Sequence, residues 1–490
     1  MSVTSILLTT MPAMRKLCIL AVFLCAFSCS PHAIATSPNI IMVFIDDMGW
    51  GDFSCFGNTE VQTPNVDRLA AEGIRFSQFY VNSPICSPSR CALATGQYPH
   101  RWKITSFLNN RADNERRGVA NWLNPSALTL PRILQQNGYA TGHFGKWHLG
   151  GQRDVDDAPA ISDYGFDESL TNFEGMGAKL LPLTMKPGEE KPGRIWADAE
   201  RLGQPVTWMQ RSRITGGFVD AAIPFIDKAV TKGKPFYINL FPDDVHSPFW
   251  PPVDQWADGK RGLYLAVLKE MDRQLGKLFD HVRATPTLRD NTLILVCSDN
   301  GPEPGAGSAG PFRGTKATLY EGGIRSPLIA WAPGFMNKSK VGSHNATSVF
   351  AAFDLPPSML AIAKVGKPGN ITFDGEDLAS VLLGQSTLSH TGPICWRRPP
   401  DRKTMKTTER LPDLAVRDGD WKLLCEYDGT QPQLYNLAAD RAETTNLVKQ
   451  QPDLVVRLTE TVLAWHKSMP PDNGPVIPAE QPKELRSGKK

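Results

Sequence analysis

Short apolar runs that end in polar residues are the clearest pattern along this chain. Residues 39–45, 236–241 and 292–297 are almost continuously apolar, as expected of strands buried on both faces of a parallel sheet. Residues 139–144 form a weaker run that glycine interrupts. The pattern predicts an α/β fold with a large mixed, mostly parallel sheet.

Segments between these runs predict helices that cover the sheet. The predicted helices span residues 66–72, 130–136, 217–230 and 263–282. Strands that alternate with helices are typical of βαβ units, which place a sheet between helical layers. Residues 181–202 are rich in Pro, Gly and charged side chains, so we expect an exposed insertion there.

The pattern changes toward the C-terminus. Residues 415–427 give two strand-like runs around an Asp-Gly pair, which is a hairpin signal, and residues 433–437 give another strand. Residues 452–469 predict an amphipathic helix, and the last dozen residues are polar and expected to be disordered. We therefore predict a main domain over residues 36–385 and a small C-terminal α+β subdomain with an antiparallel sheet over residues 386–490.

Polar side chains follow each of the four predicted strands. In open α/β sheets, ligands bind outside the carboxyl ends of the strands, so these side chains are expected to meet at one site. They are Asp46 and Asp47 after the first strand, Lys146 and His148 after the second, Asp243, Asp244 and His246 after the third, and Asp299 and Asn300 after the fourth.

Three carboxylates and one amide of this set indicate a metal site. Hard oxygen ligands suit calcium or magnesium better than zinc. Each pair of these residues taken alone is also common in solvated turns, but their shared place at strand ends favours one cation. The four side chains are those of Asp46, Asp47, Asp299 and Asn300.

A second chemical signal lies in the run Cys86-Ser87-Pro88-Ser89-Arg90. Pro88 suits the first turn of a helix, because its φ is helical and its missing N–H would be unpaired there. Ser87 is expected to cap that turn, which places Cys86 at a helix N-terminus. Partial positive charge at such a position favours anions. An isolated cysteine beside a helix start is otherwise more typical of a buried core residue.

The complete run from Cys86, followed by Thr95-Gly96, resembles the first signature of the type I sulfatases, whose cysteine is converted to Cα-formylglycine. Such sulfatases also carry paired acids, a G-K-x-H segment, an isolated histidine and an Asp-Asn pair, all present here. Residues 416–423 and 434–437 resemble their C-terminal subdomain. The order of motifs is most similar to the arylsulfatase A and N-acetylgalactosamine-6-sulfatase branch. The resemblance implies an alkaline-phosphatase-like sandwich whose catalytic domain is residues 36–385.

The resemblance also implies a complete catalytic site. One Ca²⁺ would be held by the four metal ligands named above, with the modified Cys86 completing the set. The formylglycine hydrate would attack sulfur with one hydroxyl and expel sulfate with the other. The catalytic side chains that the resemblance implies are Cys86, Arg90, Lys146, His148, His246 and Lys316.

The same resemblance implies a role for each side chain. Arg90 would position the diol, while Lys146 and Lys316 would hold sulfate oxygens. His148 would take the diol proton during sulfate elimination, and either His246 or Lys316 would protonate the leaving alcohol. The residues after Lys316 also match the family pattern, whereas the lysine alone would be typical of a solvated loop.

The implied substrate is a sulfated carbohydrate or an aryl sulfate, and maturation would require a formylglycine-generating enzyme. Many family members have a histidine where this chain has Phe249, so the pocket for the leaving group differs. Arg101, Trp102 and Lys103 are candidates to line that pocket. Trp250 offers a ring face for stacking on a sugar.

Two other functions stay open at this stage. A metal-dependent phosphohydrolase of the alkaline phosphatase superfamily would share the metal site, but such enzymes use Thr or Ser where this chain has Cys86. A non-catalytic carbohydrate-binding relative would lack key site residues, and none is missing here. Formylglycine at residue 86 would favour the sulfatase, and an unmodified cysteine would favour the alternatives.

Charge and the N-terminus limit the remaining possibilities. The net charge is only +3, with no compact basic block before the C-terminal tail, which argues against a nucleic-acid-binding protein. A basic pair, an apolar stretch over residues 17–27 and a small-residue cleavage site at 33–35 predict a signal peptide over residues 1–35. The apolar stretch is too short for stable membrane insertion. We expect an exported protein, periplasmic or extracellular.

Overall fold

The computed structural model describes residues 37–400 and 411–474 of the chain. The predicted signal peptide and all of the predicted polar tail lie outside the described residues. The described part of residues 38–490 packs as one compact unit, and the domain boundary expected at residue 385 stays a prediction. In the described ranges, no helix is both long and apolar enough to cross a membrane.

The strands expected from apolar runs are present at nearly their predicted bounds. β1 and β8 match the prediction, β3 is shifted by one residue, and β9 extends one residue further. In chain order the strands are β1 (Asn39–Ile45), β2 (Ile74–Tyr80), β3 (Ala140–Gly145), β4 (Glu168–Leu170), β5 (Lys179–Thr184), β6 (Gly193–Arg194), β7 (Val206–Gln210), β8 (Phe236–Phe241), β9 (Thr292–Ser298), β10 (Arg325–Trp331), β11 (Ser343–Asn345), β12 (Phe350–Ala351), β13 (Ile394–Arg397), β14 (Leu414–Asp418), β15 (Trp421–Cys425) and β16 (Gln433–Asn436).

The central sheet explains why the polar residues after these strands meet. Its strand order among the described residues is β11-β2-β10-β9-β1-β8-β3-β4, and β12 also pairs with β2. All of these strands run in one direction except β10, which is antiparallel to both β2 and β9. The predicted large, mostly parallel sheet is therefore confirmed. The carboxyl ends of β1, β3, β8 and β9 lie at one edge, and the segment before β10 reaches the same edge.

Helices connect the strands, and the predicted ones are present. α4 has its predicted bounds, whereas α1, α5 and α6 begin two to four residues earlier, because polar first turns do not contribute to an apolar pattern. In chain order the helices are α1 (Pro64–Glu72), α2 (Cys86–Thr95), α3 (Arg111–Arg117), α4 (Leu130–Gln136), α5 (Ile214–Thr231), α6 (Gly259–Ala284), α7 (Pro286–Arg289), α8 (Glu321–Ile324), α9 (Leu355–Ile362), α10 (Ala379–Leu382) and α11 (Pro452–Ser468).

Alternation along β1 divides its side chains between two cores. Val43 and Ile45 pack in a core with apolar residues of α1, α5 and α6. Met42 and Phe44 belong to a second core with α2, α4 and α9, which continues into the C-terminal sheet. Successive side chains of a strand point to opposite faces, so the sheet lies between two helical layers. The predicted sandwich architecture is confirmed.

The segment expected to be an exposed insertion, residues 181–202, is only partly exposed. Its first residues belong to β5, a largely buried strand that pairs with β6 and β7 in a small second sheet. Leu181, Ala199 and Leu202 form a small core of their own. The expectation was therefore wrong for these positions, because Pro and Gly concealed an apolar strand of only six residues.

The C-terminal subdomain has the antiparallel sheet that the sequence predicts. β13, β14, β15 and β16 pair in that order, and all pairs are antiparallel. The turn between β14 and β15 is the predicted hairpin, with Gly419 at φ +59°. Lys422 on β15 forms buried ion pairs with Glu321 and Glu443, and Glu321 is the first residue of α8, which leads into β10. These ion pairs join the small sheet to the segment that enters the central one.

Candidate active site

Loops at one edge of the central sheet carry the predicted site residues. Because β10 runs opposite to its neighbours, the segment before it, which contains Lys316, reaches the edge where β1 and β9 end. Helix α2 follows β2 and has Cys86 as its first residue. The others follow strand ends: Asp46 and Asp47 after β1, Lys146 and His148 after β3, His246 after β8, and Asp299 and Asn300 after β9.

Three buried carboxylates form the centre of the site. Oxygen atoms of Asp46, Asp47 and Asp299 all lie within 4.8 Å of one another. Burial and the charge of Asp46 raise the pKa of Asp299 well above its usual range, as expected when like charges share a site. Burial opposes ionisation of Asp46 too, but nearby cations, Lys146 first, hold its pKa well below the usual range. A divalent cation would relieve this unequal ionisation.

The donor set fits a hard divalent cation. Asn300 Oδ1 is buried and has no hydrogen-bond partner, although Nδ2 of the same side chain donates to Asp47 Oδ1 at 2.8 Å. A buried acceptor without a partner costs free energy, which a bound cation would recover. Asp47 has φ +58°, a left-handed conformation that is strained for a residue with a side chain. These observations agree with the predicted metal ligands.

Cys86 lies at the start of α2 and is only 2% exposed. Burial raises the pKa of its unmodified thiol to about 12, even though Lys146 opposes that shift. The predicted Ser87 cap is wrong, because the helix begins two residues earlier and Ile85 occupies the N-cap position. Ser87 Oγ instead accepts a hydrogen bond from the Leu108 backbone N–H at 3.0 Å. Pro88 still lies in the first turn, as predicted.

Arg90 is buried and forms hydrogen bonds with two of the three acids. Its Nη2 donates to Asp299 Oδ2 at 2.7 Å and to Asp46 Oδ1 at 3.2 Å, and its Nη1 donates to the Lys146 carbonyl oxygen at 2.9 Å. One guanidinium thus joins the segments that follow β1, β3 and β9. Arg90 is absent from the wall of the catalytic cavity described below, so its predicted contact with a diol at residue 86 stays a prediction.

Lys146 and His148 share an acid, Glu174, that the sequence analysis did not single out. Glu174 Oε2 lies 2.9 Å from His148 Nδ1 and 3.7 Å from Lys146 Nζ, which also donates to Asp46 Oδ2 at 2.8 Å. His148 Nε2 lies 3.0 Å from the Leu108 carbonyl oxygen, which can only accept, so Nε2 carries the proton. Burial lowers the pKa of His148 to about 4, against the effect of Glu174. Nδ1 is therefore the nitrogen left to take up a proton.

Lys316 and His246 both approach Asp47. Lys316 Nζ donates to Asp47 Oδ2 at 2.6 Å. His246 Nε2 lies 3.6 Å from the same oxygen, beyond hydrogen-bonding distance, while its Nδ1 lies 2.7 Å from the Ser247 carbonyl oxygen. Because that carbonyl only accepts, Nδ1 carries the proton of the neutral ring. Nε2 is thus available to exchange a proton with a bound molecule.

These groups open into one cavity of about 440 Å³. A volume in this range is typical of sites that bind small molecules. Every predicted catalytic residue except Arg90 contributes to its wall. The lining side chains include Cys86, Phe107, Lys146, His148, Arg153, Phe173, Glu174, His246, Lys260, Glu303 and Lys316.

Comparison with known proteins agrees with this geometry. Residues 38–365 match the family model described as Sulfatase. The chain belongs to the sulfatase family. Human N-acetylgalactosamine-6-sulfatase is 33% identical over 359 residues, which cover 71% of this chain and 66%, just under two thirds, of that sulfatase. Mouse arylsulfatase G is 32% identical over 397 residues, which cover 74% of this chain and 72% of that protein.

A solved structure extends the similarity of this sulfatase to its fold. Ps i-CgsB, crystallised in complex with k-i-k-neocarrahexaose, superposes with a TM-score of 0.71 at 27% identity, covering 88% of this chain and 93% of that chain. The predicted family and fold are therefore confirmed. The family and both curated relatives also support the predicted enzyme class, a sulfuric ester hydrolase.

Glu174 is a site residue of this sulfatase that sequence reasoning missed. It lies in the loop after β4, which runs parallel to β3 and therefore ends at the same edge of the sheet. β4 has only three residues, too few to give a recognisable apolar run. The remaining signal, an acid directly before Gly175 in a glycine-rich turn, was too weak to single it out.

Some residues considered for the substrate pocket lie elsewhere. Arg101 pairs with Asp374 at 2.6 Å, and Trp102 Nε1 donates to Gln97 Oε1 at 3.0 Å. Neither they nor Lys103 belong to the wall of the catalytic cavity. The expectation for these three residues was wrong, because the loop that carries them faces the segment around residue 374.

The residues after β8 also divide between different roles. His246 reaches the cavity, whereas Asp243 pairs with buried Arg211 at 2.8 Å. Phe249 packs into a hydrophobic core, and Trp250 lies outside the residues that line the cavity. Of the polar side chains expected at this strand end, one histidine therefore contributes to the site, and the aspartates anchor neighbouring segments.

Proposed function

We propose that this protein hydrolyses sulfate esters of sulfated carbohydrates, and aryl sulfates, with a formylglycine at residue 86 and one bound Ca²⁺. The observation that carries the proposal is the single cavity in which the residue-86 position, two lysines and two histidines meet beside a triad of carboxylates. A sulfate ester needs a strong nucleophile and positive charge on its oxygens, and this arrangement offers places for both.

Two lysines would hold the sulfate oxygens. Lys146 Nζ and Lys316 Nζ contact different acids of the triad, Asp46 and Asp47, so they approach the cluster from separate sides. The N-terminus of α2 adds partial positive charge at residue 86. Fixed positive groups stabilise developing negative charge most where water is excluded. Arg90, buried below, keeps the acids in position instead of contacting the substrate.

The carboxylate triad and one amide would hold the cation. A bound divalent ion supplies positive charge that assists ionisation of a nearby hydroxyl and neutralises the acids. Asn300 Oδ1 supports this assignment, because it is a buried acceptor that no protein group satisfies. The proposed ligands from side chains are Asp46, Asp47, Asp299 and Asn300, together with residue 86.

Formylglycine hydrate supplies an oxygen nucleophile together with an internal route for releasing sulfate, which serine does not offer. The chain presents residue 86 in the first turn of α2 and on the wall of the cavity. Burial holds the unmodified Cys86 thiol protonated, with a pKa near 12, and a protonated thiol is a poor nucleophile. A formylglycine-generating enzyme is therefore the maturation partner we propose.

Two histidines would move the protons. His246 Nε2 has no hydrogen bond to the acids, so we assign the ring, when it is protonated on both nitrogens, the transfer of its Nε2 proton to the leaving alcohol. Lys316 is engaged by Asp47 at 2.6 Å and is better suited to hold oxygen. His148, with Nδ1 facing Glu174, would accept a proton from residue 86 during release of sulfate. Glu174 then balances the charge that His148 gains.

A sulfated carbohydrate is the favoured substrate because of what the relatives bind or cleave. The human relative is named for N-acetylgalactosamine 6-sulfate, and Ps i-CgsB was solved with a neocarrahexaose. Export to the periplasm or the extracellular space is supported by the predicted signal peptide over residues 1–35. Such an enzyme would meet sulfated polysaccharides outside the cell.

A metal-dependent phosphohydrolase stays the alternative, because the same cations and metal would favour a phosphate dianion even more strongly. The choice between sulfatase and phosphohydrolase can be tested with protein that is coexpressed with a formylglycine-generating enzyme. Its turnover of 4-nitrophenyl sulfate is compared with its turnover of 4-nitrophenyl phosphate. We expect faster sulfate turnover, and we expect Cys86→Ser to lose multiple turnover at an unchanged melting temperature. Equal or faster phosphate turnover, or a Cys86→Ser variant that keeps most of the rate, would contradict the proposal.

A further inference from the structure

Arg153 is a cation on the wall of the catalytic cavity that the proposed chemistry does not use. Its side chain is exposed and makes no hydrogen bond or ion pair among the described residues. The three lysines of the same wall are all engaged by acids, which leaves this guanidinium as the unpaired one. Those pairs are Lys146 with Asp46, Lys316 with Asp47, and Lys260 with Glu303.

The loop that carries Arg153 has a constrained backbone. Arg153 has φ +46°, a left-handed conformation that is costly for a residue with a side chain and is common where function requires it. The Gly175 backbone N–H donates to the Gly151 carbonyl oxygen at 2.7 Å. A Cβ on Gly151 would lie only 2.8 Å from the Gly175 carbonyl carbon, so the two loops meet closely. Arg153 therefore extends from a fixed turn beside the Glu174 loop.

The nearby acid is already engaged by other groups. Burial opposes ionisation of Glu174, but His148 and Lys146 lower its pKa to about 2, and Arg153 adds a smaller part of that shift. Arg153 is thus close enough to Glu174 to influence it, although no hydrogen bond joins them. Its guanidinium donors are left for a bound molecule.

Aromatic side chains on the same wall indicate where a sugar ring would lie. Phe107 and Phe173 line the cavity together with Arg153 and the catalytic histidines. Aromatic rings offer apolar faces that pack against the C–H faces of a sugar. A saccharide whose sulfate ester lies at residue 86 would therefore share this cavity with both rings and with Arg153.

We propose that Arg153 binds a second anionic group of the substrate, carried on the sulfated sugar or on its neighbour. This inference rests on the proposed sulfatase function and narrows its substrates to polyanionic saccharides. The planar guanidinium fork suits both carboxylates and sulfates. The second group is therefore a carboxylate or a sulfate beyond the ester that is cleaved. Ligands that carry one or the other distinguish the two.

Binding to Cys86→Ala protein, which has no nucleophile at residue 86, tests the subsite independently of catalysis. Calorimetry would compare N-acetylgalactosamine 6-sulfate, its 4,6-disulfate, and a disaccharide of the 6-sulfate with a uronic acid. We expect at least one acidic ligand to bind about tenfold more tightly than the monosulfate, and this preference to weaken as salt is raised. Adding Arg153→Gln should abolish the preference, whereas adding Arg289→Gln, on distant α7, should leave it intact.

Each result of the calorimetry either supports or overturns the proposed Arg153 subsite. Selective loss of affinity for the disulfate or for the uronate identifies which acid Arg153 binds. Equal affinity for all three ligands, or a preference that survives Arg153→Gln, would overturn the subsite. Wild-type turnover of 4-nitrophenyl sulfate is measured separately, so failure of the sulfatase proposal is distinguished from failure of the subsite. A melting temperature unchanged by Arg153→Gln excludes misfolding as the cause.

Discussion

Two buried clusters of charge in this molecule differ in how their acids are arranged and in what lies beside them. The sheet-edge cluster packs Asp46, Asp47 and Asp299 within 4.8 Å of one another beside an open cavity. Asn300 contributes a buried oxygen without a hydrogen-bond partner to the same cluster. Its lysines and histidines face a space large enough for a substrate. The arrangement of this cluster could hold a metal ion.

In the second cluster, between the central and C-terminal sheets, a lysine of the protein lies between the two acids. Lys422 Nζ lies 3.0 Å from Glu321 Oε1 and 2.9 Å from Glu443 Oε1. Glu321 Oε2 also accepts from Tyr80 Oη at 2.6 Å and pairs with Arg325 at 3.0 Å. Two acids are matched here by two cations. Burial of charge alone therefore does not mark a functional site; three carboxylates packed together beside a cavity that several candidate catalytic groups line do.

Replacing one buried lysine in each cluster should separate their roles most strongly. Lys146→Ala is expected to lower kcat/KM for 4-nitrophenyl sulfate on the order of 10²-fold or more, because an oxygen-binding cation is lost. Lys422→Ala is expected to cost about 3–5 kcal/mol of unfolding free energy, because two carboxylates lose the cation between them. Denaturant unfolding and steady-state kinetics measure both effects. A fully stable but inactive Lys422→Ala protein would contradict the comparison.

Removing metal should affect only the sheet-edge cluster. A cation that binds the folded state at 100 times its Kd stabilises it by about 2.7 kcal/mol. Chelation should therefore lower both the melting temperature and the activity, with calcium restoring them better than zinc. Asp299→Asn should abolish the calcium-dependent rise in melting temperature, whereas Glu443→Gln should keep it. Active protein without any stoichiometric divalent ion would overturn the metal assignment.

The contribution of the second cluster, around Lys422 and Glu443, to the unfolding free energy should instead depend on pH. Burial raises the pKa of Glu443 from 4.5 to about 7, against the effect of Lys422. A carboxyl with a raised pKa binds more protons in the folded state, so its contribution to the unfolding free energy falls as pH rises through that window. Glu443→Gln should remove this slope, worth at most about 3 kcal/mol, without changing the pH profile of kcat. If the unfolding free energy of the wild type and of Glu443→Gln had the same slope against pH, the role assigned to Glu443 would be refuted.

The sequence predicted the parts of the fold that depend on long apolar runs. β1 and β8, which end beside the site, have their predicted bounds because each is a continuous apolar segment. β4 and β5 were missed, since three and six residues interrupted by polar or proline positions give little periodic signal. Tertiary pairing, not local pattern, decides the structure of such short strands.

The candidate site, too, could be predicted from local sequence only in part. Positions after strand ends predicted that the acid triad, Lys146 and both histidines lie at one edge of the sheet. Lys316, which precedes β10, was predicted only from the resemblance to sulfatases. Contacts between neighbouring loops were not predictable from local sequence. The burial of Arg90 below the acids, the approach of Glu174 to His148 and the unpaired side chain of Arg153 all depend on such contacts.

The mass of the peptide that contains residue 86 is the most direct test of the central claim. It should be measured on protein whose turnover of 4-nitrophenyl sulfate has been determined in the same preparation. We expect an aldehyde in place of the Cys86 thiol, in a fraction that rises in proportion to specific activity across preparations. Fully active protein whose residue-86 peptide has the mass of unmodified cysteine would contradict it.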